Sequence, residues 1–318
     1  RDDQRAMSLQ TTSRPQTAVA PIYECVPNFS CAQGDRAFPM LQPTAESAGV
    51  QVLDVHADRA YHRTVLTFLG SPAQTGRACL RLIDVAARHI DMSVHRGAHP
   101  RLGATDVFPF VPMPGAAEAQ CIENVRRLAQ TVARELRLCV YLYGAAALRP
   151  ERRELVHIRR GQFEGWLREI GREPTRDPDF GPAVAQCCGP VVLGVRKILI
   201  AINFVLRDAD VALARSIAQT IRSAERGLPA LQARGFRIGG QAHVSCNILD
   251  YRITRPRKVF ERIGQLCREA GSAVRETEVV GMIPRAAMSA ADRAEMRVRN
   301  WQDGQYLDRW LPASSKAP

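Results

Sequence analysis

Phe236-Arg237-Ile238-Gly239-Gly240-Gln241-Ala242-His243-Val244-Ser245-Cys246-Asn247-Ile248 is the stretch that decides the fold of this chain. Beyond the Gly-Gly pair, apolar residues recur at every second position, the pattern of a half-buried strand entered through a tight turn. Two strands, Phe236–Ile238 and His243–Ile253, are therefore expected around Gly239-Gly240. Working outward, Val191–Leu206 is rich in Val and Ile and predicts one long strand. Asp208–Ala224 carries Leu213, Ile217 and Ile221 at helical spacing. Val259, Ile263 and Cys267 mark another helix, and Glu278–Ile283 reads as a closing strand. The order β-α-β-β-α-β is a split βαβ, or ferredoxin-like, unit.

The upstream half reads with the same rhythm. Ile22–Phe29 is a candidate strand, followed by a poor helical segment interrupted by Pro39 and Pro43. Val50–His56 and Arg63–Leu69 are strands, and Ser71-Pro72 caps a helix whose buried face is Cys79, Leu82, Ile83, Ala86 and Ile90. Val107–Val111 closes the unit. A further helix, with Cys121, Val125, Leu128, Val132 and Leu136 on one face, leads to the strand Leu138–Tyr143. The expected class is thus α/β (α+β), a tandem duplication of two ferredoxin-like subdomains with a ligand cleft between their sheets. Residues 1–20 read as a disordered tail, 21–189 and 190–300 as the two subdomains, and 301–318 as a C-terminal tail. The join is expected in the Pro/Gly-rich run Asp177–Pro190.

Composition limits the function. Lys+Arg number 44 against 32 Asp+Glu, a net charge of +12, yet only Lys197, Lys258 and Lys316 are lysines. An Arg/Ala-rich proteome gives that balance as readily as an anionic partner does. No basic stripe interleaved with aromatics and no zinc-finger pattern accompanies it, so no nucleic-acid partner is expected. No apolar run is long enough to span a bilayer, so no membrane association is expected. The start lacks the apolar core of a secretory signal, and the nine cysteines fall mostly at apolar-periodic positions, so a cytoplasmic location is expected.

The densest chemistry lies in His95-Arg96-Gly97-Ala98-His99-Pro100-Arg101, between a predicted helix and a predicted strand. An imidazole both takes and gives a proton near neutrality. The adjoining guanidiniums suit carboxylates. His95 and His99 are four apart, but Gly97 and Pro100 break any helix there, so no metal site is expected. Arg63 and Arg101 are candidates to hold carboxylates, or equally to form structural ion pairs. Asp106 could orient an imidazole or an arginine, or cap a strand end.

Several segments then occur together in order: Cys25-Val26-Pro27-Asn28-Phe29-Ser30, Arg63-Thr64-Val65, Ile90-Asp91-Met92-Ser93, His95–Gly103, Tyr141-Leu142-Tyr143-Gly144 and Pro178-Asp179-Phe180-Gly181-Pro182. Arg196-Lys197, Gly227-Leu228-Pro229, Val244-Ser245, Asn247 and Val280-Gly281 follow in register. From about residue 22 to 290 the chain resembles the formiminotransferase domain family. The resemblance implies transfer of a formimino group from N-formimino-L-glutamate to N5 of tetrahydrofolate as co-substrate, without a metal, by a homodimer. It implies His99 as the acid/base, and Asn28, His56, His62, Arg63 and Arg101 around the acidic amino-acid substrate. Gly181, Pro182, Ala183, Val184, Ala185, Gln186, Cys187, Cys188 and Gly189 correspond to the folate-contacting run. The leaving nitrogen must gain a proton and N5 must lose one, and a single histidine can serve both steps.

The sequence departs from the family where Cys31-Ala32 replace Glu-Gly, His56 an aspartate and His62 an asparagine; Cys187-Cys188 stand in a run that usually holds an aromatic ring. The alternatives are a homologue that binds folate or another acidic ligand without catalysis, and a one-carbon transferase with a different donor or acceptor.

Overall fold

The computed structural model describes residues 20–59, 61–97, 100–225 and 227–312. In the first half, β1 (Tyr23–Cys25) and β2 (Asn28–Phe29) are one expected strand broken at Val26-Pro27. Pro27 has no N–H for the ladder. Both pieces lie between β4 (Arg63–Gly70) and β5 (Thr105–Pro112). Between them in the chain come α1 (Phe38–Ser47), which forms despite Pro43, β3 (Gln51–Asp58) and α2 (Pro72–His89). Ser71 caps α2 as expected: its hydroxyl accepts from Gln74 N–H and the Gln74 side chain returns the bond. The sheet runs β3, β4, β1/β2, β5, the ferredoxin-like order. It continues in parallel through β7 (Val191–Val195) to β6 (Val140–Gly144), with α3 (Glu118–Leu136) as the crossover between β5 and β6.

Val191–Leu206 is not one strand. Every residue of β7 is buried, as befits the interior of a parallel sheet. The chain then leaves at Arg196-Lys197 and starts β8 (Ile200–Leu206) in the other sheet. The passage between sheets therefore follows β7, and Asp177–Pro190 belongs to the first half. Phe180 bridges to Val140, and Asp179, its side chain 2% exposed, is held 2.8 Å from Arg152. Residues 145–176, unassigned from sequence, form α4 (Leu155–Ile158), α5 (Gln162–Glu169) and two 3-10 turns. Trp166, fully buried, anchors α5 by donating to Tyr141 Oη at 3.1 Å.

The second half repeats the plan with β8, α6 (Val211–Arg222), β9 (Leu231–Ile238), β10 (Gln241–Ile248), α7 (Pro256–Glu269) and β11 (Val274–Val280) in the order β11, β8, β10, β9. Gly239 and Gly240, φ 53° and 82°, make the expected two-residue turn closed by Gln241 opposite Ile238. Strand β10 ends at Ile248, short of Ile253, and β11 lies earlier than expected. The stretch 301–312, expected as a tail, is folded: α8 (Ala290–Glu295) leads to Tyr306, Leu307 and Leu311, 5%, 2% and 7% exposed. The remaining tail residues, 1–19 and 313–318, lie outside the described residues.

Helices cover one face of each sheet, and the other faces approach each other. Leu69, Val111 and Met113 of the first half pack with Met282, Leu307 and Leu311 of the second. Glu24 lies beside this apolar seam, across the ladders from Leu69 and Val111 and 4% exposed. Burial pushes its carboxyl up to about 7, with the Arg196 charge pulling the other way.

Packing tolerances differ sharply between glycines. A methyl on Gly235 would lie 2.3 Å from the backbone of Ala214, where α6 rests on β9; on Gly264 in α7 it would meet only the Arg268 guanidinium, at 3.4 Å. Gly235→Ala is expected to destabilise by about 1–3 kcal/mol and Gly264→Ala to stabilise by about 0.5–1 kcal/mol. Urea midpoints that shift in the same direction would contradict this account. Glu24 gives a pH signature. Its folded pKa lies above the unfolded value, so its favourable contribution is complete below the unfolded pKa and is lost as pH rises through about 7. Relative to Glu24→Gln, the wild type should lose roughly 2–3 kcal/mol between pH 5 and pH 8. A gap constant across that range would refute the shift.

Candidate functional site

One pocket opens at the end of the first sheet where β2 finishes and β4 and β5 begin. Its walls are Ser30, Tyr61, His62, Arg63, His95, Arg101 and Asp106. Three expected site residues, His62, Arg63 and Arg101, are thus brought together with His95 and Asp106. His99 and its neighbour Ala98 lie outside the described residues. Gly97 before them has a clear reason to be glycine, since a Cβ would lie 2.4 Å from the Tyr61 carbonyl oxygen. Gly103 after them is equally constrained, 2.0 Å from the Pro190 carbonyl oxygen.

The two imidazoles described in this pocket are framework. His95 is 5% exposed; its Nε2 pairs with the His62 carbonyl at 3.0 Å and its Nδ1 accepts from Arg101 Nε at 3.3 Å. That pattern is the neutral ring with its proton on Nε2, and burial lowers its pKa. His62 stacks on it, ring centroids 4.3 Å apart. Its Nδ1 faces the Arg96 carbonyl at 2.6 Å and its Nε2 the Asp35 carboxylate at 2.7 Å, an arrangement the imidazolium satisfies in full. His62 has φ 51°, so the β3–β4 turn is held in the left-handed region by these contacts.

Arg101 does not present its guanidinium to a ligand. Its side chain is 9% exposed and forks onto both oxygens of Glu164, at 2.8 and 2.6 Å. That bond holds the Glu164 carboxyl down to about 2. Of the two readings the sequence left open for Arg101, the ion pair is the one the geometry supports. Asp106 is likewise committed: it is 2% exposed, accepts from Leu102 N–H at 2.7 Å and pairs with Arg159. Arg63 keeps its place in the wall. Burial lowers its pKa, the nearby Arg159 lowers it further, and its guanidinium lies 5.6 Å from the centre of the Tyr61 ring.

His56 and Asn28 lie further into the sheet, each paired across a ladder with Val65. Asn28 donates to the Val26 carbonyl at 2.9 Å. His56 has Asp54 as a charged neighbour. Cys31 sits buried against Thr64, and burial pushes its thiol up to about 12, so it fills space and is not a nucleophile. The Gly181–Gly189 run abuts the pocket through Ala104 N–H donating to the Cys188 carbonyl at 2.6 Å. It is pinned by Met92 N–H to the Cys187 carbonyl and by Gln186 to the Arg137 carbonyl. Val184 is its exposed apolar tip, at 53%.

Sequence reasoning gave no site role to Arg159, nor to Tyr143 and Arg196, which it noted only within motifs. Tyr143 lies over Gly194, where a Cβ would be 2.2 Å from the ring, and it bonds to Arg196. Arg159 is one of seven arginines between 149 and 172, indistinguishable by spacing. Tyr143 and Gly194, opposite each other in the β6–β7 ladder, left a signal in the small residue facing the large one. Among the described residues, no group of three or more His, Cys, Asp and Glu is arranged to hold a metal ion.

Comparison with known proteins agrees with this architecture. The profile "Formiminotransferase domain, N-terminal subdomain" matches residues 22–196 and "Formiminotransferase domain" residues 201–302. The change of profile falls where the chain changes sheets. A glutamate formimidoyltransferase of Thermoplasma acidophilum is 34% identical over 292 residues, 91% of this chain and 96% of that one. Its namesake in Streptococcus pyogenes is 35% identical over 85% of this chain and 91% of the relative. The formimidoyltransferase-cyclodeaminase of Mus musculus is 36% identical, with 84% of this chain matching 51% of it. Both halves, their order and their sheet topology place this chain in the formiminotransferase domain family.

Proposed function

We propose that this protein is a transferase that moves a formimino group from N-formimino-L-glutamate to N5 of tetrahydrofolate. The observation that carries this reading is the match to proteins named glutamate formimidoyltransferase at about a third identity across more than nine-tenths of their length. The pocket's chemistry supports it: Arg63 makes its wall cationic for a donor with several carboxylates. Thr67 Oγ1 and His243 Nδ1, buried on the facing sheets without hydrogen-bond partners among the described residues, suit a ligand rich in polar heteroatoms.

In this reading His99 is the acid/base that protonates the leaving nitrogen and accepts the proton of the attacking one. Arg63 holds a donor carboxylate, Arg159 keeps Asp106 paired, and Arg101 with His95 holds the loop that bears His99. Gly181–Gly189 bounds the folate side of the cleft, where tetrahydrofolate supplies the nucleophilic nitrogen. A homodimer in the cytoplasm completes the reading, supported by nine free cysteines of which only Cys187 is exposed. No helix among the described residues is long and apolar enough to cross a membrane.

Purified protein should convert N-formimino-L-glutamate and tetrahydrofolate to glutamate and formimino-tetrahydrofolate, with kcat falling about 10²–10⁴-fold in His99→Ala. Folate binding without turnover of that donor would reject this reading in favour of a different donor or a binding protein. Arg63→Gln should raise the donor KM by about tenfold or more while leaving the KM for tetrahydrofolate near its wild-type value. Equal changes in both constants would remove Arg63 from the donor site.

A further inference from the structure

The cationic wall of the first half raises a question of charge balance, and it rests on the proposed function. A formiminoglutamate-like donor carries carboxylates at one end and an amidine at the other. Amidines are strong bases, protonated and cationic at neutral pH, so that end calls for a carboxylate. The first half has Asp58 and Asp54 on β3. Asp58 accepts from Tyr61 N–H at 2.9 Å and faces Arg63 across the ladder, so its charge is already matched. Asp54 lies further along the strand, opposite Thr67 and away from the pocket.

Asp106 and Asp35 are already paired with Arg159 and His62, and the second half offers a further carboxylate. Glu278 stands between Thr277 and Val279, which are 0% and 1% exposed. Strand alternation turns it to the open face of its sheet, in line with Asn203 and Ser245 of the neighbouring strands. Tyr61, Phe236 and His243 form a run of ring contacts with centroid separations of 5.5 and 6.4 Å, so the two halves meet beside the pocket. The Glu278 charge acts on both ends of that run, Tyr61 and His243. Among the described residues its carboxylate makes no hydrogen bond or ion pair. His243, 4% exposed, has no partner for its Nδ1 among the described residues at the same place.

We propose that Glu278 is the second half's contribution to the substrate site, its carboxylate pairing with the donor amidinium while Arg63 of the first half takes a donor carboxylate. Glu278 thereby selects a cationic formimino group over a neutral formyl group of the same shape. No covalent step is involved; the pair forms with the donor as bound.

The test compares N-formimino-L-glutamate with N-formyl-L-glutamate, in which a carbonyl oxygen replaces the cationic nitrogen. Wild-type protein should bind the formimino compound about tenfold or more tightly. Glu278→Gln should remove most of that preference and raise the donor KM about tenfold, with binding of the formyl compound and the KM for tetrahydrofolate unchanged. Glu278→Asp, which keeps the charge on a shorter arm, should fall between and serves if the glutamine variant does not fold. An undiminished preference in the variants, or equal weakening of both ligands, overturns the assignment. The proposed function fails separately, if wild-type protein does not turn over the formimino compound; the two binding constants still judge Glu278.

Discussion

Asp106 is the constraint on which the site depends. A carboxylate 2% exposed must be fully paired, because an unpaired buried charge costs several kcal/mol. Its two partners come from different places: Leu102 N–H from the loop after His99, and Arg159 from the segment between β6 and β7. One residue therefore ties the loop, the start of β5 and the α4–α5 segment together. The Arg101–Glu164 fork makes a second tie between the same loop and α5. With both in place, Arg159 is delivered beside Arg63 rather than left on the surface.

Each half taken alone is an incomplete solution. A split βαβ unit buries one face of its sheet under two helices and leaves the other uncovered. The first half covers part of its open face with α4 and α5. The second half covers the rest, sealed at one end by the Leu69–Met282 seam and meeting again through Tyr61 and Phe236. Between these contacts the facing residues are polar, among them Thr67, Ser245, Asn203 and Glu278. Duplication thus leaves polar side chains on two sheet faces that approach each other.

Much of this was legible in the sequence where periodicity is strong. The helix capped at Ser71, the Gly239-Gly240 hairpin and the repeat of β-α-β-β-α-β follow from local rules. The β7–β8 division was hidden because a strand buried on both faces and one buried on a single face both read as runs of Val and Ile. The α4–α5 segment was hidden because its anchor, Trp166 against Tyr141, is a long-range contact with little local pattern. In the site, the His95–Arg101 loop and Arg63 could be chosen from residue type and order. What Arg101 does with its charge could not, since Glu164 is remote in sequence and half exposed. Arg159 was lost among many arginines for the same reason.

The close approach of Gly97 to the Tyr61 carbonyl oxygen has a wider meaning. It places the backbone two residues before His99 directly on the turn between β3 and β4, with no side chain to act as a cushion. That turn is set by the hairpin's register and by the His62–Asp35 pair. The hairpin therefore works as a ruler for the loop. An insertion or a shift of pairing far from the pocket would move Gly97 and the backbone around it with no change in any residue of the pocket wall. Loss of activity from mutations in this hairpin would report displaced geometry, not altered chemistry.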